Sequence, residues 1–124
     1  MDRLQLEQYL QQLTGAEGSF PFGPDALVFK VMGKMFALVG ESKRPEDERR
    51  VTVSLKCDPV DAQMLVSQFD AVIPGYHLNK KHWITLSLHQ DVEESMTKEL
   101  IDASYQLVAS KLTKAQRLQL HELI

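Results

Sequence analysis

Apolar and polar positions along this chain recur with two different periods, and each change of period marks an element. In "MDRLQLEQYLQQL", Leu6, Tyr9, Leu10 and Leu13 fall at three- and four-residue spacing, one face of a helix that Asp2 can cap. Gly15 ends it, and "GAEGSFPFGPD" reads as a connection without periodicity. "ALVFKVMGKMFALV" follows, two apolar runs around Gly33-Lys34 that predict a tight β-hairpin. The polar stretch "GESKRPEDERR", residues 40–50, predicts a long projecting loop, and the alternating "VTVSLK", residues 51–56, a third strand.

Asp58-Pro59 is a cap followed by a first-turn proline, opening a helix that runs to about Gln68 with Val60, Met64, Leu65 and Phe69 inward. Pro74-Gly75 breaks the chain before "WITLSL", residues 83–88. There Trp83, Thr85 and Ser87 share one strand face, and Ile84, Leu86 and Leu88 the other. Asp91 and Glu94 resemble a capping box for a long helix that would bury Leu100, Ala103, Ser104, Leu107 and Val108. Thr113 and Gln116 repeat the box ahead of a last short helix.

The order is helix, three strands, helix, one or two strands, helix, helix. Neighbouring strands with short connections predict an antiparallel sheet with helices packed on one face, a two-layer α+β fold. The other face would carry Thr, Ser and Lys and meet water or a partner. At 124 residues, without repeats or linkers, the chain reads as a single domain over 1–124. No apolar run approaches the ~20 residues that cross a bilayer, and the acidic start lacks a signal-peptide pattern. The single cysteine, Cys57, excludes an internal disulfide and suits a reducing cytosol, so a cytoplasmic protein with no membrane partner is expected.

Charge narrows the partner classes. The net charge is −3, divided as −3 over residues 1–26, +2 over 27–90 and −2 over 91–124. Non-specific coating of nucleic acid needs a large basic excess, so any such contact here would come from a local patch.

Candidate chemistry gathers in "GYHLNKKHWIT", residues 75–85. His77, His82 and His89 match no metal-ligand spacing, and a strand between the last two would hold them about 20 Å apart at ~3.3 Å per residue. Cys57 beside His77 or His82 could form a thiol–imidazole pair, and a helix N-terminus nearby could lower its pKa; a buried apolar thiol is the plainer reading. No nucleophile elbow, Walker motif or dinucleotide fingerprint is present, so neither an enzyme nor a cofactor is expected. Asn79, Lys80, Lys81 and His82 offer donors suited to phosphate oxygens, and Lys43, Arg44, Arg49 and Arg50 add four bases on the long loop. Against this, "NKKH" also fits an exposed turn, and Glu46, Asp47 and Glu48 nearly neutralise the loop. Trp83 reads as an architectural anchor, and Tyr105 as packing.

Pro74-Gly75-Tyr76-His77 followed by Asn79-Lys80-Lys81-His82-Trp83 resembles the signature of the MmcQ/YjbR family of small bacterial proteins. "FKVMGKMFALV", "VSLKCDP" and "ASYQLVASKL" match in the same order, from about residue 25 to 112. The resemblance implies a frataxin/secretion-chaperone-like α+β fold and DNA binding through a double wing of projecting hairpins. It places Lys34 at the first hairpin turn and Asn79, Lys80, Lys81 and His82 at the second, with no catalytic set. Two functions follow as expectations. One is a DNA-binding protein contacting the phosphate backbone through these residues with Arg49 and Arg50. The other is a non-enzymatic protein-interaction module, chaperone-like, offering its sheet face or the Pro-rich segment 19–24 to a peptide or to itself.

Overall fold

The computed structural model describes residues 1–124 other than Lys43, Glu48, Arg49, Tyr76 and His77. At the start, the Asp2 carboxylate accepts from the Gln5 amide while the Gln5 side chain accepts from the Asp2 amide, a capping box that opens α1 (Arg3–Gln11). Gly15, at φ +74°, turns the chain into a strand that periodicity does not announce, β1 (Ala16–Ser19). "AEGS" buries only Ala16 and holds no β-branched residue, so this edge strand takes its form from backbone pairing with its neighbour. That neighbour, β2 (Leu27–Val31), forms the expected hairpin with β3 (Lys34–Glu41). Its corners are Met32 and Gly33, both at positive φ, as a two-residue hairpin loop requires. Lys34 is therefore the first residue of β3, paired with Val31, and not a corner residue.

β4 (Val51–Lys56), β5 (Val72–Pro74) and β6 (Trp83–Ser87) complete a six-stranded antiparallel sheet in the order β1-β2-β3-β4-β6-β5. Three further helices are α2 (Pro59–Gln68), α3 (Glu94–Ala109) and α4 (Lys114–Glu122). The helices pack against the sheet, α2 over β5 and β6, α3 over β2 to β4, so the α+β class holds. Between them lies a core that fully buries Phe29, Phe36, Leu55, Ile84, Leu86 and Ile101. Tyr105 meets Phe36 edge-on, ring centroids 5.4 Å apart, and donates its hydroxyl to the Thr14 carbonyl.

Two helices sit differently from their apolar pattern. On α3 the buried residues are Thr97, Ile101, Ser104, Tyr105 and Val108, while Leu100 and Leu107 are half-buried and Ala103 is exposed. The stripe is rotated because polar tips find partners inside: Thr97 donates to the Glu93 carbonyl, and Ser104 donates to the Phe36 carbonyl at 2.6 Å. On α2, Ala62 and Leu65 are buried, Val66 and Phe69 half-buried, and Val60 and Met64 stand 65% and 53% exposed. Nor does Asp91 cap α3, whose N-cap is Glu93. Its carboxylate accepts the amides of Asp70 and Ala71 at 2.8 and 2.9 Å, fixing the entry to β5.

The second face of the sheet buries its small polar residues between the half-buried Leu38 and Ile73. Thr52, Ser54, Thr85 and Ser87 are each no more than 6% exposed. Such a row tolerates burial when its hydroxyls are paired, as the Ser54 and Thr85 hydroxyls are, 2.8 Å apart.

Candidate functional site

Strand direction decides which basic residues meet. β2 ends and β3 begins at the same end of the sheet where β4 ends, β5 ends and β6 begins, since Val31 pairs with Lys34, Lys56 with Trp83, and Pro74 with Ile84. The Met32-Gly33 turn and the β5–β6 connection therefore project from one end, three strand spacings or about 14 Å apart. Lys34, Lys80, Lys81 and His82 are exposed there, and the half-buried Lys56 ends the strand between them. None of these four lysines makes an ion pair among the described residues.

The β5–β6 connection is held at both feet. The Gly75 amide donates to the Trp83 carbonyl at 2.8 Å, and the Cys57 amide donates to the His82 carbonyl at 2.8 Å. A Cβ on Gly75 would lie 2.6 Å from the Trp83 Cβ, so only glycine fits this crossing. Asn79 locks the turn: its side-chain oxygen accepts from the Lys81 amide at 2.9 Å and its carbonyl from the His82 amide at 3.2 Å. The Asn79 side-chain oxygen is thus used within the turn, which presents Lys80 and Lys81 outward. The exposed His82 ring has no hydrogen-bond partner among the described residues. Trp83 is 8% exposed and anchors the base of the turn, out of reach as a stacking platform.

The long loop behaves otherwise. It leaves from the opposite end of the sheet, about 20 Å away at ~3.3 Å per residue. Arg50 donates to the His89 carbonyl at 3.1 Å, and Arg44 lies 3.8 Å from Glu46 and reaches the Asp70 carbonyl at 3.5 Å. Arg50 therefore does not join the lysines, and Arg49, Lys43 and His77 lie outside the described residues. His82 and His89 flank β6 at opposite ends.

One feature escaped the sequence reading. Between α2 and α3 runs a groove of about 560 Å³, floored by Ile84 and walled by Met64, Leu65, Leu100, Ala103 and Leu107. Most of these are residues that helical periodicity assigns to the core. Cys57 sits at its mouth beside Asp58 and Asp61. Burial, then the charges of Asp61 and Asp58, push its thiol up to about 11, the reverse of activation.

Comparison with known proteins fits this architecture. The family model for YjbR matches residues 11–107. The chain belongs to the YjbR family. The YjbR protein of Escherichia coli K12 is 38% identical over 113 residues, which cover 91% of this chain and 92% of that one. YbdF of Escherichia coli O157:H7 is 35% identical over 103 residues, 83% of this chain and 80% of its own. A Deinococcus radiodurans crystal structure with the family domain DUF419 aligns with TM-score 0.81 at 35% identity, covering 97% of this chain and 88% of that one. A Pseudomonas syringae structure aligns with TM-score 0.78 at 29% identity, covering 87% and 99%. The names of these YjbR-family relatives state no activity, so the function of this chain is argued from its own surface.

Proposed function

We propose that this YjbR-family protein binds the phosphate backbone of DNA through the lysine end of its sheet. The observation that carries the reading is the pair of projecting turns at one end, with Lys34 next to one and Lys80, Lys81 and His82 on the other. Their separation of about 14 Å is close to the ~12 Å width of a B-DNA major groove, so the two turns can reach phosphates on its two sides. Lysine suits this role as a mobile point charge without directional demands. Contacts to phosphate carry no base information, so binding is expected to be weakly sequence-dependent. The acidic body limits the footprint to a few phosphates and confines contact to this end.

The reading is non-enzymatic and places the protein in the cytoplasm with its DNA. The raised thiol of Cys57 supports it, because a protonated thiol is a poor nucleophile.

Fluorescence anisotropy with a labelled duplex tests the proposal between about 50 and about 200 mM salt. Three lysine–phosphate contacts give a log–log salt slope of about −3, and replacing Lys80 and Lys81 together by alanine reduces it to about −1. No binding at the lower salt, or an unchanged slope in the double variant, would sink the proposal.

A further inference from the structure

The groove between α2 and α3 is left without a role by DNA binding, and its chemistry differs from that of the lysine end. We propose that it docks a cationic amphipathic helix, whose apolar side lies on Leu65, Ile84, Leu100 and Leu107 and whose lysine or arginine meets Asp58 and Asp61.

Shape comes first. The volume, about 560 Å³, lies inside the range of ligand sites, roughly 300–1,000 Å³. The ten residues of α2 span about 15 Å, enough to flank two to three turns of a docked helix. Its walls are two helix surfaces, with ridges a third helix can fill, and helix-in-groove recognition uses apolar anchors at i, i+3, i+4 and i+7. Met64, 53% exposed on one wall, is an adaptable contact of the kind such grooves use.

Charge selects the occupant. Asp58 and Asp61 both line the mouth and are exposed, and the other polar lining residues Gln68, Gln106 and Ser110 are neutral. Lys56 also borders the groove, but it pairs with Trp83, and strand alternation turns both side chains away from the Ile84 face. The Cys57 thiol registers the negative field of the two carboxylates in addition to its burial. An anion is repelled here, while a peptide with Leu on one side and Lys or Arg on its flank satisfies both floor and mouth.

The test uses two labelled peptides of about three turns, each with Leu at i, i+3, i+4 and i+7, one flanked by Lys and the other by Glu. Anisotropy is expected to show the Lys peptide binding roughly tenfold more tightly, two exposed carboxylates supplying the difference. Asp58→Asn with Asp61→Asn should erase that preference while keeping the helix cap, since asparagine caps as well as aspartate. Ala103→Phe, which fills the groove from an exposed position, should weaken both peptides and leave the DNA salt slope unchanged. Circular dichroism confirms that each variant is folded. Equal binding of the two peptides, or full Lys-peptide affinity in Ala103→Phe, overturns the proposal. So does self-association that Ala103→Phe abolishes, which would give the groove to a second copy of the chain.

Discussion

The two ends of the sheet carry basic residues of similar number and opposite fate. At the end where the β3–β4 loop departs, Arg50 and Arg44 donate to the carbonyls of His89 and Asp70. At the other end Lys34, Lys56, Lys80 and Lys81 have no ion-pair partner among the described residues. Each end is also held by a polar side chain that bonds two backbone groups. Asp91 holds the amides of Asp70 and Ala71 at the arginine end. Ser104 accepts the Lys56 amide at 2.8 Å and donates to Phe36 at the lysine end. The contrast teaches that a basic residue becomes a candidate contact only when the fold leaves it without an internal task. The planar guanidinium is well suited to bridging carbonyls, whereas the lysine ammonium stays solvated.

Removing the Ser104 lock should have the largest effect. Ser104→Ala leaves a part-buried amide and a buried carbonyl unpaired between β3 and β4, a loss of about 1–3 kcal/mol in equilibrium urea unfolding. A loss below ~0.5 kcal/mol would mean that the lysine end does not depend on this lock.

Gly75→Ala comes next. Its Cβ falls 2.6 Å from the Trp83 Cβ, so the β5–β6 connection must shift at a cost of about 1–3 kcal/mol. DNA affinity is expected to fall with it, while Arg50 and the opposite end stay in place; hydrogen exchange of the Cys57 and Gly75 amides reads the disturbance.

Single charges sharpen the comparison further. Lys34→Ala should reduce the salt slope of DNA binding by about 1, whereas Arg50→Ala should leave it unchanged. An equal effect of the two would erase the distinction between the ends.

The smallest effect is one of pH. Backbone hydrogen bonds, that from Ala71 foremost, hold the Asp91 carboxyl below the ordinary carboxylate range. A depressed folded-state pKa contributes stability above the unfolded value of ~3.9 and loses it as pH falls through the folded value. Wild type should therefore exceed Asp91→Asn in thermal stability near neutrality, and the gap should begin to close as pH falls towards the unfolded value and close only below the folded one. A gap that stayed constant with pH would show that the carboxylate charge contributes nothing at that end.

Much was legible along the chain because it depends on neighbours three or four residues apart. The Asp2 cap, the Thr113 capping box, the Asp58-Pro59 start and the alternating β6 formed where their residues predicted, and the hairpin formed with its corner one residue earlier than Gly33-Lys34. The run from Pro74 to Trp83 was enough to indicate the family that the comparisons establish. Asn79 could have been read as a turn lock, since asparagine commonly bonds its own backbone two residues on.

Contacts across the chain decided the rest. β1 exists because β2 offers it a ladder, and nothing in "AEGS" asks for a strand. Leu100, Leu107 and Met64 repeat with helical period, yet the spacing of α2 and α3 over the sheet leaves them lining a groove. Periodicity marks an apolar stripe but not which part of it the opposing layer covers. The sequence by itself set every helix, the strands other than β1, the caps at Asp2, Asp58 and Thr113, and the family. Only the tertiary structure decided which lysines stand together without an ion pair among the described residues, because that follows from strand order and from which groups lie within reach of each cation.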